Sequence, residues 1–172
     1  MLPEDLEEEF DPTWSPDGTR IVFGGVSSDR NSTIRILDVK TRQVSTLRGS
    51  DGLYSPRWSP DGRYIVATPF DSHSIMLFDF AAQRWDEIAK ISVGFPCWSK
   101  TGDYVYFLHG VDQPSVMRVR IRDRKLERVV DMKGFRLTGY YGIWLGLAPD
   151  DLPLLLRDTG TQEIYALNWQ AP

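Results

Sequence analysis

The stretch that decides the fold is Trp14-Ser15-Pro16-Asp17-Gly18, which returns unchanged 44 residues later as Trp58-Ser59-Pro60-Asp61-Gly62. A third copy, Trp98-Ser99-Lys100-Thr101-Gly102, follows 40 residues further on and keeps the Trp, the Ser and the Gly. A fourth copy, Leu147-Ala148-Pro149-Asp150-Asp151, keeps only Pro and Asp. Recurrence at a nearly fixed period of this length is the signature of a repeat architecture.

Each copy has the chemistry of a tight hairpin turn. The Ser side chain can hydrogen-bond the turn backbone, Pro presets φ at the first turn position, and Gly supplies a left-handed residue. In the fourth copy we expect Asp151 to take the left-handed position, because Asp tolerates it better than most residues. The Trp offers a large surface that can pack between adjacent units.

Apolar runs follow each motif in the same order. The first starts six residues after the Trp position, at Arg20–Phe23, Tyr64–Ala67, Tyr104–Phe107 and Pro153–Leu156. The second comprises Ile34–Asp38, Ile75–Asp79, Val116–Arg120 and Ile164–Asn168, and the third comprises Val44–Leu47, Trp85–Ile88 and Leu126–Val129. With the segment before each Trp, every complete unit holds four short strands, which is one propeller blade.

The sequence therefore predicts an all-β chain that forms a β-propeller of four consecutive four-stranded antiparallel blades. The last blade is incomplete because no third run follows Ile164–Asn168, and helix content should be close to nil. An acidic N-terminal segment, residues 1–9, precedes the repeats at 10–172. The predicted blades span about 10–48, 54–89, 94–130 and 142–169.

Composition narrows the class of protein. A chain of 172 residues with 41% hydrophobic and 26% charged residues is typical of a single globular domain. Lys and Arg number 20 against 24 Asp and Glu, so the net charge of −4 disfavours nucleic acid as a partner. No apolar run predicts membrane insertion, and the acidic N-terminus is unlike a signal peptide. The compartment stays open: cytoplasmic by default, periplasmic if the chain is part of a longer exported protein.

These motifs resemble the TolB-like, WD-type bacterial propeller repeat, whose hallmark is a Trp-Ser-Pro-Asp-Gly turn followed by an apolar strand. The resemblance covers about residues 10–169. It implies a propeller with one of several roles: the propeller of the TolB periplasmic protein, the gating domain of prolyl-oligopeptidase-type peptidases, or a sensory or scaffold part of bacterial multidomain regulators. The closing segment, residues 154–169, is similar to the C-terminal end of the regulator group.

The blade count predicts a partial or open propeller. Relatives of this type usually have more blades than four, and the segment Met1–Glu4 is poorly suited to complete the last blade because Pro3 cannot donate to a strand ladder. The strand Ile164 to Trp169 is therefore expected to be an exposed edge, which invites self-association with another chain.

Candidate binding residues lie on one face of the predicted propeller. The tight turns share a face, here called the turn face, with the short basic hairpins, whereas the opposite loop face carries the longer connections, where binding residues usually lie. The loop-face candidates are Arg30, His73, His109, Asp112, Tyr140 and Tyr141. Candidates for lining the channel, on the strands just before each Trp, are Asp11, Arg57 and Phe95. The alternative is that all of these are ordinary polar loop or solvated channel residues.

No catalytic motif stands out: there is no nucleophile elbow, phosphate loop or metal-ligand spacing, so neither a cofactor nor a metal is expected. The single cysteine, Cys97, cannot form an internal disulfide. We therefore expect a non-enzymatic module that gives a rigid scaffold for protein or small-ligand binding, as the C-terminal sensory or interaction part of a larger bacterial protein. Two alternatives remain: the accessory gating propeller of a prolyl-oligopeptidase-type serine hydrolase whose catalytic domain is absent, and a fragment that folds poorly.

Overall fold

The structure is a computed structural model that describes residues 6–27, 31–110, 113–138 and 144–161. Within these ranges every regular element is a β-strand and there is no helix, so the all-β prediction is confirmed. No described segment forms a helix that would cross a membrane. Several predicted features lie outside the described residues: Arg30, Asp112, Tyr140, Tyr141, and the segments Met1–Glu4 and Ile164 to Trp169.

The described residues form fourteen strands, which follow one another along the chain. The first blade comprises β1 (Leu6–Trp14), β2 (Arg20–Ser27), β3 (Ser32–Asp38) and β4 (Val44–Thr46). The second comprises β5 (Leu53–Trp58), β6 (Tyr64–Pro69), β7 (Ile75–Asp79) and β8 (Arg84–Ala89). The third comprises β9 (Gly94–Trp98), β10 (Tyr104–His109), β11 (Ser115–Arg120) and β12 (Leu126–Asp131). The described part of the fourth comprises β13 (Leu145–Leu147) and β14 (Pro153–Leu155).

Each blade is an antiparallel sheet whose strands pair in sequence order, four strands in each of the first three blades and two in the described part of the fourth. The first strands of successive blades, β1, β5, β9 and β13, contact one another in series. The sheets therefore fan out from a common inner edge, and no described sheet closes the ring. This confirms the predicted open propeller with an incomplete last blade. Strand β1 begins at Leu6, within the acidic N-terminal segment.

The repeated turn is held by one buried serine. In the second copy the Ser59 hydroxyl donates to Asp61 (2.6 Å) and accepts the Tyr64 backbone N–H (2.8 Å). The Gly62 N–H donates to the Ser59 carbonyl (3.0 Å), and Gly62 is left-handed with φ 73°. The first and third copies repeat the backbone contacts, with Gly18 at φ 69° and Gly102 at φ 77°. The roles predicted for Ser and Gly are therefore confirmed.

The fourth turn is one residue shorter than the other three. As predicted, Asp151 is left-handed, with φ 63°. However, Leu147 pairs with Pro153, six residues on, whereas Trp58 pairs with Ile65, seven residues on. Leu152, not Pro153, is therefore the structural equivalent of Arg20, and the sequence alignment of this strand was wrong by one residue. A one-residue slip exchanges the two faces of a strand, so it decides which leucines face outward.

The hydrophobic core lies in the seams between blades. Each blade has a forward face, toward the next blade in sequence, and a rear face, toward the preceding one. Between the first two blades, Val22, Ile34 and Ile36 pack against Trp58 and Ile65. Similar clusters fill the next two seams, around Phe107 between the second and third blades and around Tyr106 between the third and fourth. Burial of apolar side chains between sheets, at about 1.5–3 kcal/mol each, is thus what holds blade to blade.

The indole positions show how the seams are built. The guanidinium of Arg20, in the first blade, lies 5.0 Å from the Trp58 ring centroid, a cation–π contact. Tyr64, in the second blade, stacks on Trp98 of the third, with ring centroids 6.4 Å apart. Trp14 has no described blade behind it and is 59% exposed, against 7% for Trp58. The predicted packing of Trp between units is therefore observed at Trp58 and Trp98 but not at Trp14.

We expect Ser59→Ala to destabilise the fold by about 1–3 kcal/mol, because it removes the acceptor of the Tyr64 N–H in a buried turn. Urea unfolding followed by tryptophan fluorescence measures the change. The matched control is Ser45→Ala, at an exposed position of β4, which should stay within about 0.5 kcal/mol of the parent chain. Equal effects of the two substitutions would contradict this account of the turn.

The turn also predicts a pH dependence. Hydrogen bonds from the Ser15 hydroxyl, then from the Thr19 N–H and hydroxyl, lower the pKa of Asp17 to about 2. Because the pKa of Asp17 is lower in the folded state than its unfolded value of about 4, the carboxylate stabilises the fold at pH values above about 4. That contribution is lost as the pH falls through about 2. Carboxyl NMR titration should show this low pKa, and Ser15→Ala should raise it. An Asp17 signal that titrates near 4 in the parent chain would refute the assignment.

Candidate functional site

The innermost strands share a bulge that the sequence analysis did not identify. Asp11, Ser55 and Phe95 lie three residues before the Trp of their blades, and each is left-handed, with φ values of 53°, 54° and 53°. In the first two blades the pairing register shifts beside this residue, between Phe10 and Thr13 and between Tyr54 and Arg57. Such bulges redirect side chains and terminate local pairing.

A sequence signal for these bulges was present. Each left-handed residue is followed by a Pro, a variable residue and Trp, as in Asp11-Pro12-Thr13-Trp14, Ser55-Pro56-Arg57-Trp58 and Phe95-Pro96-Cys97-Trp98. The prolines are compatible with bulged positions because they lack the N–H that a regular ladder requires. The repeated motif is thus longer than the turn alone and includes the three residues before each Trp.

Two of the predicted channel residues form an ion pair with each other. The Arg57 guanidinium lies 3.6 Å from a carboxylate oxygen of Asp11 in the preceding blade. The Ser55 hydroxyl donates to the other oxygen of the same carboxylate, at 2.7 Å. The Asp11 and Arg57 side chains are partly exposed, 44% and 23% respectively. Because Arg57 already has a carboxylate partner, an incoming anion would have to compete with Asp11.

The third predicted channel residue lies elsewhere, at the edge of an apolar cavity. Phe95 is 39% exposed and lines a cavity of about 220 Å³ on the loop face of the third blade. The walls of this cavity also include Leu108, Gly110, Pro114 and Leu137. Five segments, the β8–β9 connection, β9, β10, the β10–β11 connection and the chain after β12, therefore contribute to one apolar surface on the loop face.

A larger and more polar cavity adjoins it. This cavity has a volume of about 560 Å³ and shares Pro114 and Leu137 with the apolar one. Its other lining residues are Gln113, Ser115, Arg128, Asp131, Met132, Lys133, Gly134 and Phe135. The two cavities together are here called the loop-face site. Concave sites that combine an apolar wall with a few polar groups are the usual place for ligands.

Local hydrogen bonds fix the shape of the loop-face site. The Met132 N–H donates to the Pro114 carbonyl (3.0 Å), which ties the segment after β12 to the β10–β11 connection. The Phe135 N–H donates to the Met132 carbonyl (2.9 Å), closing a turn. Met132 itself is 2% exposed and anchors this segment in the seam. The wall of the site is therefore held by backbone contacts and by a buried side chain.

The two histidines play different parts. His109, at the end of β10, has its Nδ1 3.0 Å from the Ser92 carbonyl, so its ring ties two connections together beside the apolar cavity. His73 lies on the second blade's loop, with its side chain 74% exposed, and its ring contacts the backbone of Asp71. His109 thus borders the loop-face site, whereas His73 lies away from it. Both remain predictions as binding residues.

Cys97 is not poised as a nucleophile. Burial is the main cause that raises the pKa of this thiol to about 12, and the nearby Arg57 guanidinium only partly offsets it. Because the thiolate is the reactive form, the thiol is inert at neutral pH. In the part of the chain that the structure describes, no group of three His, Cys, Asp or Glu side chains is arranged to hold a metal ion.

Comparisons with known proteins bear on the fold. No protein-family model matches the chain, and no curated protein matches it in sequence. Among solved structures, TolB from Acinetobacter baumannii superposes with a TM-score of 0.67 at 21% identity, covering 87% of this chain and 37% of that one. The putative TolB from Agrobacterium tumefaciens gives a TM-score of 0.69 at 22% identity, covering 89% of this chain and 58% of that one.

A third similar structure is the β-propeller domain of the Trilobed protease from Pyrococcus furiosus, described as having an open velcro topology. It superposes with a TM-score of 0.59 at 16% identity and covers 72% of this chain and 42% of that one. At these identities the likeness shows the fold: a β-propeller of the kind found in TolB. The chain spans less than two thirds of the length of each of these three structures.

We expect Cys97 to resist thiol reagents in the folded protein. Its reaction with Ellman's reagent at pH 8 should be slower by about a hundredfold or more than after unfolding in urea, since burial disfavours the thiolate. A Ser45→Cys variant supplies an exposed thiol for comparison and should react at once. If native Cys97 reacts as fast as the thiol introduced at position 45, the placement of Cys97 in the seam is wrong.

Proposed function

We propose that the chain is a non-enzymatic propeller module that binds a segment of a protein partner, or a small ligand, at the loop-face site. The observation that carries this proposal is the pair of adjoining cavities between the third blade and the segment that follows β12, one apolar and one polar. It agrees with the sequence-based expectation that binding residues lie on the loop face. A rigid set of sheets that presents variable connections is a common basis for recognition.

The chemistry of the loop-face site favours an extended ligand that carries both apolar and acidic groups. Phe95, Leu108 and Leu137 offer apolar surface at one end. Arg128 and Lys133 bring two positive charges to the other end, against the single carboxylate of Asp131, which lies 4.0 Å from Arg128. Arg128 and Asp131 are both 63% exposed, so their mutual attraction is weak and a ligand carboxylate can compete for the cation.

A binding role rather than catalysis is supported by the state of the groups that could do chemistry. The Cys97 thiol is protonated because it is buried, and His109 contacts the Ser92 carbonyl. The charged groups of the loop-face site are two cations and a carboxylate on exposed positions, and no hydroxyl is hydrogen-bonded to a base among the described lining residues. This combination suits ion pairing and hydrogen bonding to a ligand.

We further propose that the module is the C-terminal sensory or interaction part of a larger bacterial protein. The support is that the chain spans only 37% and 58% of the two TolB-type chains it resembles in fold. The alternative, an accessory gating propeller of a serine hydrolase, is supported by the likeness to the propeller domain of the Trilobed protease. That likeness is at lower identity and TM-score, so it does not displace the first proposal.

The test uses peptides selected from a random display library against the whole chain, with affinities measured by fluorescence anisotropy. The double variant Arg128→Glu, Lys133→Glu should weaken the selected peptides by about tenfold or more, because it reverses the positive charge of the loop-face site. The control, Lys40→Glu, Arg122→Glu, makes the same charge change at exposed positions on the turn face and should leave affinity within about twofold. Equal losses in both variants, or no selectable peptide, would count against the proposal.

A further inference from the structure

Successive blades join by a repeating contact between the forward face of one and the rear face of the next. In the turns, Pro16 packs over Gly62, where an added Cβ would lie 3.4 Å from its ring, and Pro60 packs over Gly102 in the same way, at 3.6 Å. The residue that opens the second strand then covers the next indole, as Arg20 does for Trp58. The first two seams thus each pair a proline with a glycine and a strand-opening side chain with a Trp.

The rear face of the first blade presents the receiving half of this contact, and no described residue covers it. A Cβ added at Gly18 would meet no atom within 4 Å, although the equivalent Gly62 is covered by Pro16. Trp14 is 59% exposed, although its equivalent Trp58 is 7% exposed. A groove of about 250 Å³ runs along this face, lined by Glu9, Phe10, Pro12, Ile21, Phe23 and Leu37.

The forward face of the fourth blade presents the other half of this contact, the turn residue and the strand-opening side chain. Pro149 occupies the turn position of Pro16 and is exposed. Because the fourth turn is one residue shorter, Leu152 occupies the position of Arg20, and it is 61% exposed. On the same side, Leu154 and Leu156 are 46% and 45% exposed, whereas Leu155 packs toward the third blade. An apolar stripe of this kind on a monomer marks an interaction surface.

We propose that the forward face of the fourth blade docks on the rear face of the first blade of a second copy of this chain. Pro149 then packs over Gly18 and Leu152 covers Trp14, while Leu154 extends along the groove beside Ile21. Two such contacts, related by a twofold axis, close a ring of eight blades, within the range of about four to eight found in propellers. Each copy gives one face and receives the other, so the contact is head-to-tail.

The seams within the chain identify the docking partner as a second copy. The docking contact is the same proline–glycine and side-chain–indole pairing that joins the first blade to the second. Leucine on an exposed indole buries apolar area on both partners, and Leu152 brings no charge to this contact. Closure also removes the two open apolar faces, so the assembly ends at two copies.

Light scattering after size exclusion tests the proposal, with the parent chain expected to elute at the mass of two copies. Trp14→Ala and Gly18→Asn should each weaken association by about tenfold or more. Asn tolerates the left-handed backbone of Gly18 and places a side chain where Pro149 must pack. The controls are Phe70→Ala, an aromatic residue on the loop face that is also 59% exposed, and Gly52→Asn, at a glycine with φ 75° and open space around it. Both controls should stay dimeric.

A mixing experiment distinguishes the head-to-tail contact from a symmetric one. Pro149→Glu impairs only the forward face and Trp14→Ala only the rear face, so each variant alone should be monomeric. Mixed together, they retain one intact contact per pair and should form a complex of two chains. The proposal is overturned by a parent chain that stays monomeric at all concentrations, by open-ended polymers, or by Pro149→Glu remaining dimeric alone. Thermal unfolding of each variant shows that it is folded.

Discussion

The contact on which the rest of the structure depends is the one between an indole and the preceding blade. A four-stranded sheet with two apolar faces is unstable by itself, and here each face is covered only when the neighbouring blade supplies an aromatic, cationic or aliphatic group over the Trp position. Arg20 on Trp58 and Tyr64 on Trp98 are two chemical solutions to the same packing requirement. Stability is therefore additive along the chain, one seam at a time.

The position of the loop-face site follows from this blade-by-blade packing. The turn face varies little because each turn packs against the turn of the neighbouring blade, whereas the connections on the opposite face are held by a few hydrogen bonds such as that between Met132 and Pro114. They can vary in length and chemistry without disturbing a seam. The apolar cavity forms where the longest of these connections, which follows β12, lies against an aromatic residue, Phe95, on an inner strand.

Sequence reasoning predicted the strands, the turn chemistry and the left-handed Asp151 because all of these depend on local patterns. It misaligned Leu152 because a hairpin shorter by one residue leaves the apolar run of Pro153 to Leu156 unchanged, and only the pairing of Leu147 with Pro153 reveals the shift. The bulges could have been found from the repeated proline two residues before each Trp. The loop-face site could not have been found in this way, because its walls come from several separate segments that meet only when the chain folds.

The third and fourth turns have diverged as a pair. Where the third copy has Lys100 in place of proline, a backbone N–H becomes available, and where the fourth has Asp151 in place of glycine, a carboxylate is there to accept it at 2.8 Å. A change in one unit is thus matched by a change in the unit beside it. The blades are therefore not interchangeable. A single blade moved to another position would lose the partner of its turn, so recombination preserves the fold only when neighbouring blades are moved together.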